Sequence, residues 1–415
     1  MKIVILSQYY DPEPVPIPGQ IARHLHDAGH DVQVLTGLPN YPEGRLYEGF
    51  DPSGGVDAVD GIPVHRVKSF LSHSSSAAGR LASYGGFAGA AARQGVRVLA
   101  QADVVYVYAT QMTASVPALF ARLRAGRTPF VLHVQDLWPE SVTDSSMLPR
   151  CLAGPARAVM TPWLAWTYRN AAAVVGIAPT MVETLRGRVG SRTPVHMIYN
   201  WSGARRAEAA VRERPGEQGA LRLMYAGNLG DLQDLENVVE AVERAAQHRP
   251  VHWRVAGGGS AEKRIRAAAA DLIDSGTVTF LGRLPQDELA EHEAWADAHV
   301  IPLKDLKVFH GTIPSKLQNA LAGGIPVITS VAGDVAGIVA DNALGFAARP
   351  EDPAALAEAF LALADLDDAA YRAMSARCIE FYRQSMSADA ALTRIEEILV
   401  DAAQTSQTDS DRSAS

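Results

Sequence analysis

Residues 310 to 318 read HGTIPSKLQ and run on into NALAGGIPVITS, which places one cation, Lys316, beside Ser315 in the first turn of an apolar helix. A helix start already carries positive potential from its aligned peptide dipoles, so a lysine there is unfavourable unless it is solvated or faces an anion. The Pro314-Ser315 opening leaves backbone amides pointing outward, and with Lys316 these form a trap for a phosphate-like group. A second cluster, HVQDLWPES, brings His133, Gln135, Asp136, Trp138 and Glu140 to the end of one strand: an imidazole, two carboxylates, an amide and an indole. In a third stretch, AGNLGDLQD, Gly227, Asn228 and Gly230 let a ligand approach the backbone closely. The fourth, SQYYDPEPVPIPGQ, is stiffened by proline and ends with Gly19 at a helix start. Each has a plainer reading. A first-turn lysine is usually solvated, a lone histidine is more often structural than catalytic, and glycine turns such as AGNLG or AGGGSAEKR (256 to 264) serve packing alone.

These stretches all follow short β-branched runs. KIVILS reads as a buried strand, QIARHLHDAGHD as a helix with Ile21, Leu25 and Ala28 on one face, and VQVL as the next strand. The alternation continues through an alanine-rich helix near 81 to 100, DVVYVY, a helix at 115 to 124, PFVLHV, a helix near 155 to 170, AAVVGI, a helix at 179 to 186 and VHMI. Residues 199 to 220 break the rhythm with charge, glycine and proline and read as a link between domains. A second series runs LRLMYAG, helix 235 to 246, VHWRVAG, helix 261 to 270, VTFLG, helix 285 to 294, AHVIPL, helix 314 to 322, PVITS and helix 334 to 340. Strands alternating with helices imply parallel sheets covered on both faces, here α/β in two doubly wound domains. Ligands of such sheets collect at the carboxyl ends of the strands, where the four stretches lie.

The bulk properties narrow the classes. At 415 residues the chain exceeds one ordinary core, and 47% hydrophobic with 20% charged residues is a soluble globular composition. A net charge of −8 argues against a general nucleic-acid binder. Cys151 and Cys378 are the only cysteines and have no ligand-spaced neighbours, which implies neither a disulfide framework nor zinc and suits a reducing cytoplasm. The amino terminus lacks a signal-peptide pattern, and no stretch reaches the roughly 18 apolar residues of a spanning helix. The aromatic helix from Met160 to Tyr168, with Trp163 and Trp166, reads as core or interdomain in preference to a shallow membrane contact at the inner face of the membrane. Phosphate-loop, dinucleotide, zinc-protease and serine-elbow patterns are missing, and Asp365 with Asp367 or Asp409 with Asp411 make no convincing metal site.

SQYYDPEP, GHDVQVLTGLPNYPEGRLYEGF, HVQDLWPES, YAGNLG, TIPSKLQNALAGGIPVI and GDVAGIV, in this order and at these separations, resemble glycosyltransferase family 4, most closely its bacterial subgroup that builds amino-sugar-containing surface polysaccharides. The resemblance spans nearly all of residues 1 to 400. It implies the GT-B fold: an acceptor domain at 1 to 198, the link at 199 to 220, a donor domain at 221 to 385, a helix at 386 to 402 crossing back to the first domain, and a disordered tail at 403 to 415. The implied activity is retaining, metal-independent transfer of a sugar, of the N-acetylhexosamine class, from a UDP or other nucleotide-diphosphate donor. No cofactor is implied. The acceptor is a hydroxyl of a glycan, a lipid-linked intermediate or a small natural product.

By the same resemblance Gly19, Gly227, Asn228, Gly230, Gly311, Thr312, Ser315, Lys316 and Asn319 would bind the donor. His133 would touch the transferred sugar, and Gln135, Asp136, Trp138 and Glu140 would line the acceptor side, so that His133, Asp136 and Lys316 are the catalytic candidates. Two departures stand out. Many members carry Arg and Lys where this chain has Asn228 and Gln233, and a pair of glutamates where it has Gly311 and Asn319; Asp334 stands where Glu is common. An NDP-sugar epimerase of the same fold is one alternative, disfavoured by the motif register, and the loss of the ribose-binding carboxylate suggests another, a non-catalytic nucleotide-sugar-binding protein.

Overall fold

The computed structural model describes residues 1–69, 77–125, 128–143, 150–201, 210–214 and 219–414. Backbone contacts divide the chain into two units, Met1–Gly203 with Ala391–Ser415, and Ala204–Ala390.

Unit 1 opens with β1 (Lys2–Ser7), in which Ile3 to Leu6 are completely buried, as a strand covered on both faces must be. One cover is α1 (Pro16–Asp27), which leads to β2 (Asp31–Gly37), parallel to β1. Next comes an antiparallel hairpin that the sequence reading passed over, β3 (Gly55–Val59) and β4 (Ile62–Val67). Its turn is Asp60-Gly61 with φ of 52° and 80°, the double left-handed geometry that a tight hairpin requires. The helix expected at 81 to 100 is two, α2 (Ala77–Gln94) and α3 (Val96–Ala100). They part at Gly95, where a Cβ would lie 2.2 Å from a Leu35 methyl. Then follow β5 (Val104–Ala109), α4 (Val116–Ala125), β6 (Phe130–Val134), α5 (Glu140–Thr143), α6 (Arg150–Asn170), β7 (Ala173–Gly176), α7 (Pro179–Val189) and β8 (Val195–Met197). The sheet runs β3-β4-β2-β1-β5-β6-β7-β8, so its order reverses between β1 and β5, the position at which such sheets form a crevice.

Unit 2 repeats the scheme with β9 (Leu221–Ala226), α8 (Leu235–Ala246), β10 (Val251–Ala256), α9 (Glu262–Ala268), α10 (Ala270–Asp274), β11 (Val278–Gly282), α11 (Gln286–Trp295), β12 (Ala298–Ile301), α12 (Ser315–Ala322), β13 (Val327–Thr329), α13 (Asp334–Asp341) and β14 (Gly345–Ala347). Its order, β11-β10-β9-β12-β13-β14, reverses between β9 and β12. Tyr225, Trp253 and Val255 of the central strands pack against Val238, Val242 and Phe360 in the main core. Phe360 belongs to α14 (Pro353–Ala364), which is followed by α15 (Asp368–Phe381), with Asp365 and Asp367 between the two. The aspartates there have structural work: Asp367 accepts from the amide of Ala370 as an N-cap, and Asp365 pairs with Arg249 at 2.7 Å. Part of the expected link also packs on this unit. The amide of Arg212 donates to Ser375 Oγ at 2.9 Å and Arg214 donates to the carbonyl of Leu363 at 2.9 Å. The rest of the link, 202–209 and 215–218, lies outside the described residues.

The last helix, α16 (Ala388–Ala414), starts two residues later than expected and continues through the stretch expected to be disordered. No glycine or proline interrupts 388 to 414, so nothing in the chain stops the helix. From Ala391 onward it belongs to unit 1, where Glu396 accepts hydrogen bonds from His24 (2.9 Å) and His30 (3.1 Å). No helix among the described residues is both long and apolar enough to cross a membrane.

Candidate functional site

In unit 2 a cavity of about 600 Å³ opens at the carboxyl ends of β9 and β10, lined by Gly227, Asn228, Gly257, Ser315, Lys316 and Asn319 among others. The β9 and β10 turns touch there: Gly227 has φ of 148°, Gly257 has φ of 133°, and a Cβ on Gly257 would fall 1.8 Å from the carbonyl oxygen of Gly227. Only glycines allow that contact. Gly227 is constrained on its other side too, since a Cβ would lie 2.4 Å from Lys316 Cε. The lysine from the first turn of α12 therefore lies directly over the β9 turn, joining two stretches 89 residues apart in sequence (316 − 227).

Lys316 Nζ donates to Tyr225 Oη at 2.6 Å and sits 3.9 Å above that ring. Tyr225 Oη in turn donates to the carbonyl of Asn228 at 2.6 Å, so the tyrosine couples the lysine to the glycine-rich turn. Burial brings the lysine pKa down to about 8, so the charge stands where little else compensates it. A second cation lies on the cavity wall: Arg283, just after β11, packs its guanidinium stem against Gly258. Asn228 and Gln233 stand where cations are common, and Arg283 supplies one from a strand end that carries no motif. Two further lining residues escaped notice, Glu293 at the end of α11 and His299 on β12, both buried and 3.9 Å apart. Gly230 adjoins the site through its amide, which donates to Gln233 Oε1 at 3.0 Å, while Gly311 and Thr312 lie in the loop ahead of α12 and do not line the cavity.

Unit 1 treats its candidates unevenly. His133 was expected at an open strand end in contact with sugar; it is instead the fourth residue of β6 and wholly buried. Its Nδ1 hydrogen-bonds Tyr106 Oη, and the rings of Tyr106 and Tyr108 meet it edge-on at 5.9 Å. Burial pulls its pKa down to about 3, which makes it a neutral imidazole, and its Nε2 is buried without a hydrogen-bond partner. Glu140, expected on the acceptor side, opens α5 and is gripped by Arg188, which bonds Oε1 at 2.7 Å, Oε2 at 3.2 Å and the carbonyl of Trp138 at 2.8 Å. It braces the loop. Trp138 is buried beside Tyr84. Gln135 accepts from Asn200 Nδ2 at 2.7 Å. Asp136 reaches solvent, as does part of Glu140, and the surrounding protein still raises the Asp136 pKa by desolvation. Gly19 lies within α1 and not at its start; Asp11 and Arg23 close over it as a 2.8 Å ion pair, and a Cβ would strike Asp11 at 2.4 Å. Nearby, Glu13 is buried and accepts from the amides of Tyr10, Asn40 and Tyr41, which fixes the loops after β1 and β2 to each other.

Residues 16–201 match the family description "Glycosyl transferase 4-like domain" and residues 220–365 match "Glycosyl transferases group 1". The putative colanic acid biosynthesis glycosyl transferase WcaI of Escherichia coli (strain K12) is 26% identical over 378 residues, covering 86% of this chain and 90% of that protein. Sucrose-phosphate synthase from Thermosynechococcus elongatus is similar in structure with a TM-score of 0.61 at 16% identity, over 96% of this chain and 98% of that one. Anabaena Alr3699/HepE, solved with UDP and glucose, gives 0.57 at 18% identity over 96% and 99%. The shared architecture is the GT-B fold, two Rossmann-like parallel-sheet domains and a long C-terminal helix. The chain belongs to glycosyltransferase family 4 and is a glycosyltransferase.

Proposed function

We propose that this enzyme transfers a sugar, with retention of anomeric configuration and without a metal ion, from a UDP-linked donor held by unit 2 to a hydroxyl group. The observation that carries the reading is the Lys316 ammonium, desolvated at the mouth of α12 and pressed onto the Gly227 turn. A diphosphate between that helix start, Lys316 and Arg283 meets amides, a dipole and two cations, which is what a leaving group of growing negative charge needs. The C1–O bond to the β-phosphate breaks, the acceptor oxygen bonds C1 on the same face, and its proton passes to a phosphate oxygen. Asn319 and Glu293 are the groups in the cavity suited to ribose hydroxyls, and Glu293 supplies the carboxylate that the missing family glutamate would have given.

The relatives' names include colanic acid and amylovoran biosynthesis, which supports a bacterial surface polysaccharide as the product. The outer surface of unit 1 favours a lipid-linked acceptor. Helices α4 and α6 carry five arginines and no acidic residue, although the whole chain is acidic, and they expose Leu123, Val159 and Trp166. Trp166 is 44% exposed on its unit, while Leu164 and Tyr168 of the same helix are buried. The test is to incubate the enzyme with UDP-N-acetylhexosamines and lipid-linked or free sugar acceptors in EDTA, and to follow UDP release and the anomeric proton of the product. Acceptor-dependent release with a retained anomer is expected. Release without an acceptor, an inverted product, or activity only after magnesium or manganese is added would overturn the reading.

A further inference from the structure

His299 interrupts the buried run of β12, whose other members, Ala298, Val300 and Ile301, are apolar as a strand covered on both faces requires. Ala298 and Val300 turn into the main core, so His299 points to the opposite face of the sheet. Its register partner there is Met224 of β9, which belongs to a small cluster with Leu284 and with Leu289 and Trp295 of α11. Glu293 follows Leu289 by one turn of α11, and Leu289, Glu293 and His299 all line the unit 2 cavity. Glu293 is 3% exposed and His299 2%, so a carboxylate and an imidazole occupy positions where burial favours apolar side chains. Glu293 Oε1 and His299 Nε2 stand 3.9 Å apart.

We propose that Glu293 and His299 clasp one ribose hydroxyl of the donor nucleotide between them, so that this pair tells ribonucleotides from deoxyribonucleotides. The proposal rests on the reading of unit 2 as the donor site and adds a residue of β12 to it. A gap of 3.9 Å is too long for a direct hydrogen bond, yet one oxygen about 2.8 Å from both atoms spans it, with an angle of about 90° at that oxygen. A hydroxyl suits the place because it donates and accepts at once. Its proton goes to the carboxylate, and the imidazole donates from Nε2 to its oxygen. A phosphate oxygen cannot donate, and the carboxylate would repel it. The cavity walls agree with this placement: Arg283 and Lys316 suit the diphosphate, Leu284 and Leu289 offer an apolar surface to a base, and the ribose of a nucleotide joins the two. Asn319, on the next turn of α12 after Lys316, is left for the other hydroxyl. Such a site rejects an analogue that lacks the hydroxyl, because binding it strips water from two buried polar groups and returns no hydrogen bond.

UDP, 2′-deoxy-UDP and 3′-deoxy-UDP are titrated calorimetrically into the full chain and into Glu293→Leu, His299→Phe, His299→Gln and Lys316→Ala. Wild type is expected to bind UDP roughly tenfold or more tightly than one of the two deoxy analogues. His299→Phe keeps a ring and removes the donor, so UDP should fall to the affinity of that analogue while the analogue binds as it does to wild type; a misfolded protein would lose both. Glu293→Leu should give the same pattern from the other side of the clasp. His299→Gln, whose amide can donate near the same point, should restore the preference. Lys316→Ala should weaken UDP and the analogue alike and leave their ratio unchanged. Equal affinity of wild type for all three nucleotides, or a preference that His299→Phe and Glu293→Leu leave intact, would overturn the clasp while the donor site stands. UDP binding that Lys316→Ala leaves untouched would overturn the donor site, and the clasp with it.

Discussion

Lys316 holds its charge where burial makes charge costly, and that sets a pH dependence for the donor site. With the pKa lowered to about 8, the free enzyme loses this proton as pH rises through 8, whereas a bound diphosphate favours the ammonium and retains it. Above pH 8 binding must therefore take up a proton, and UDP affinity is expected to be level from about pH 7 to 8 and then to fall by up to tenfold per pH unit. Lys316→Arg, which stays charged, should bind on a flat profile. Calorimetry from pH 7 to 10 in buffers of different ionisation heat reads both the affinity and the proton uptake; a flat wild-type profile would contradict the placement of the charge. At this scale the sequence singled out Ser315, Lys316 and Gly227, and these line one cavity. It was a poor guide where a distant side chain decides the role. Tyr106 and Tyr108 enclose His133, Arg188 claims Glu140, Tyr225 holds Lys316 from β9, and Arg283 enters the cavity from a strand end that carries no motif of its own.

At the scale of elements, α16 is tied to the loop-proximal end of α1 by one carboxylate shared between two imidazoles. Burial tends to raise the pKa of Glu396, but hydrogen bonds from His30 and His24 outweigh it and the net shift is downward. The carboxylate therefore contributes stability that is present above its ordinary value near 4.5 and is lost as pH falls through the lowered one. Glu396→Gln is expected to cost about 1 kcal/mol or less at pH 7, the scale of a partly exposed pair, and to lower the melting temperature by about 2 °C, with the difference from wild type shrinking toward pH 4. Scanning calorimetry at the two pH values checks this; a cost that did not shrink in acid would mean that packing and not charge is what the substitution disturbs. The β-branched runs that became strands were legible because burial on both faces leaves few alternatives. The β3–β4 hairpin carried its signal in Asp60-Gly61 and was passed over within a polar stretch, whereas α14 and α15 were obscured because alanine-rich helices show weak periodicity.

For the whole molecule, two α/β units followed from the alternation of strands and helices, and the family followed from six motifs in register. The sheets bring Lys316 and Arg283 to one cavity, and helices α4 and α6 carry five arginines in a chain whose overall charge is negative. Sequence order cannot reveal such convergence, because each arginine is unremarkable within its own helix or loop. The central claim, that unit 2 grips a nucleotide diphosphate through Lys316, is tested most directly by titrating UDP and uridine into wild type and Lys316→Ala. A desolvated lysine-to-phosphate bond is worth about 1.5–3 kcal/mol, so UDP should bind roughly tenfold to a hundredfold more weakly to the variant while uridine binds as before. Equal losses for UDP and uridine, or no loss for either, would place that cation away from the diphosphate and contradict the account.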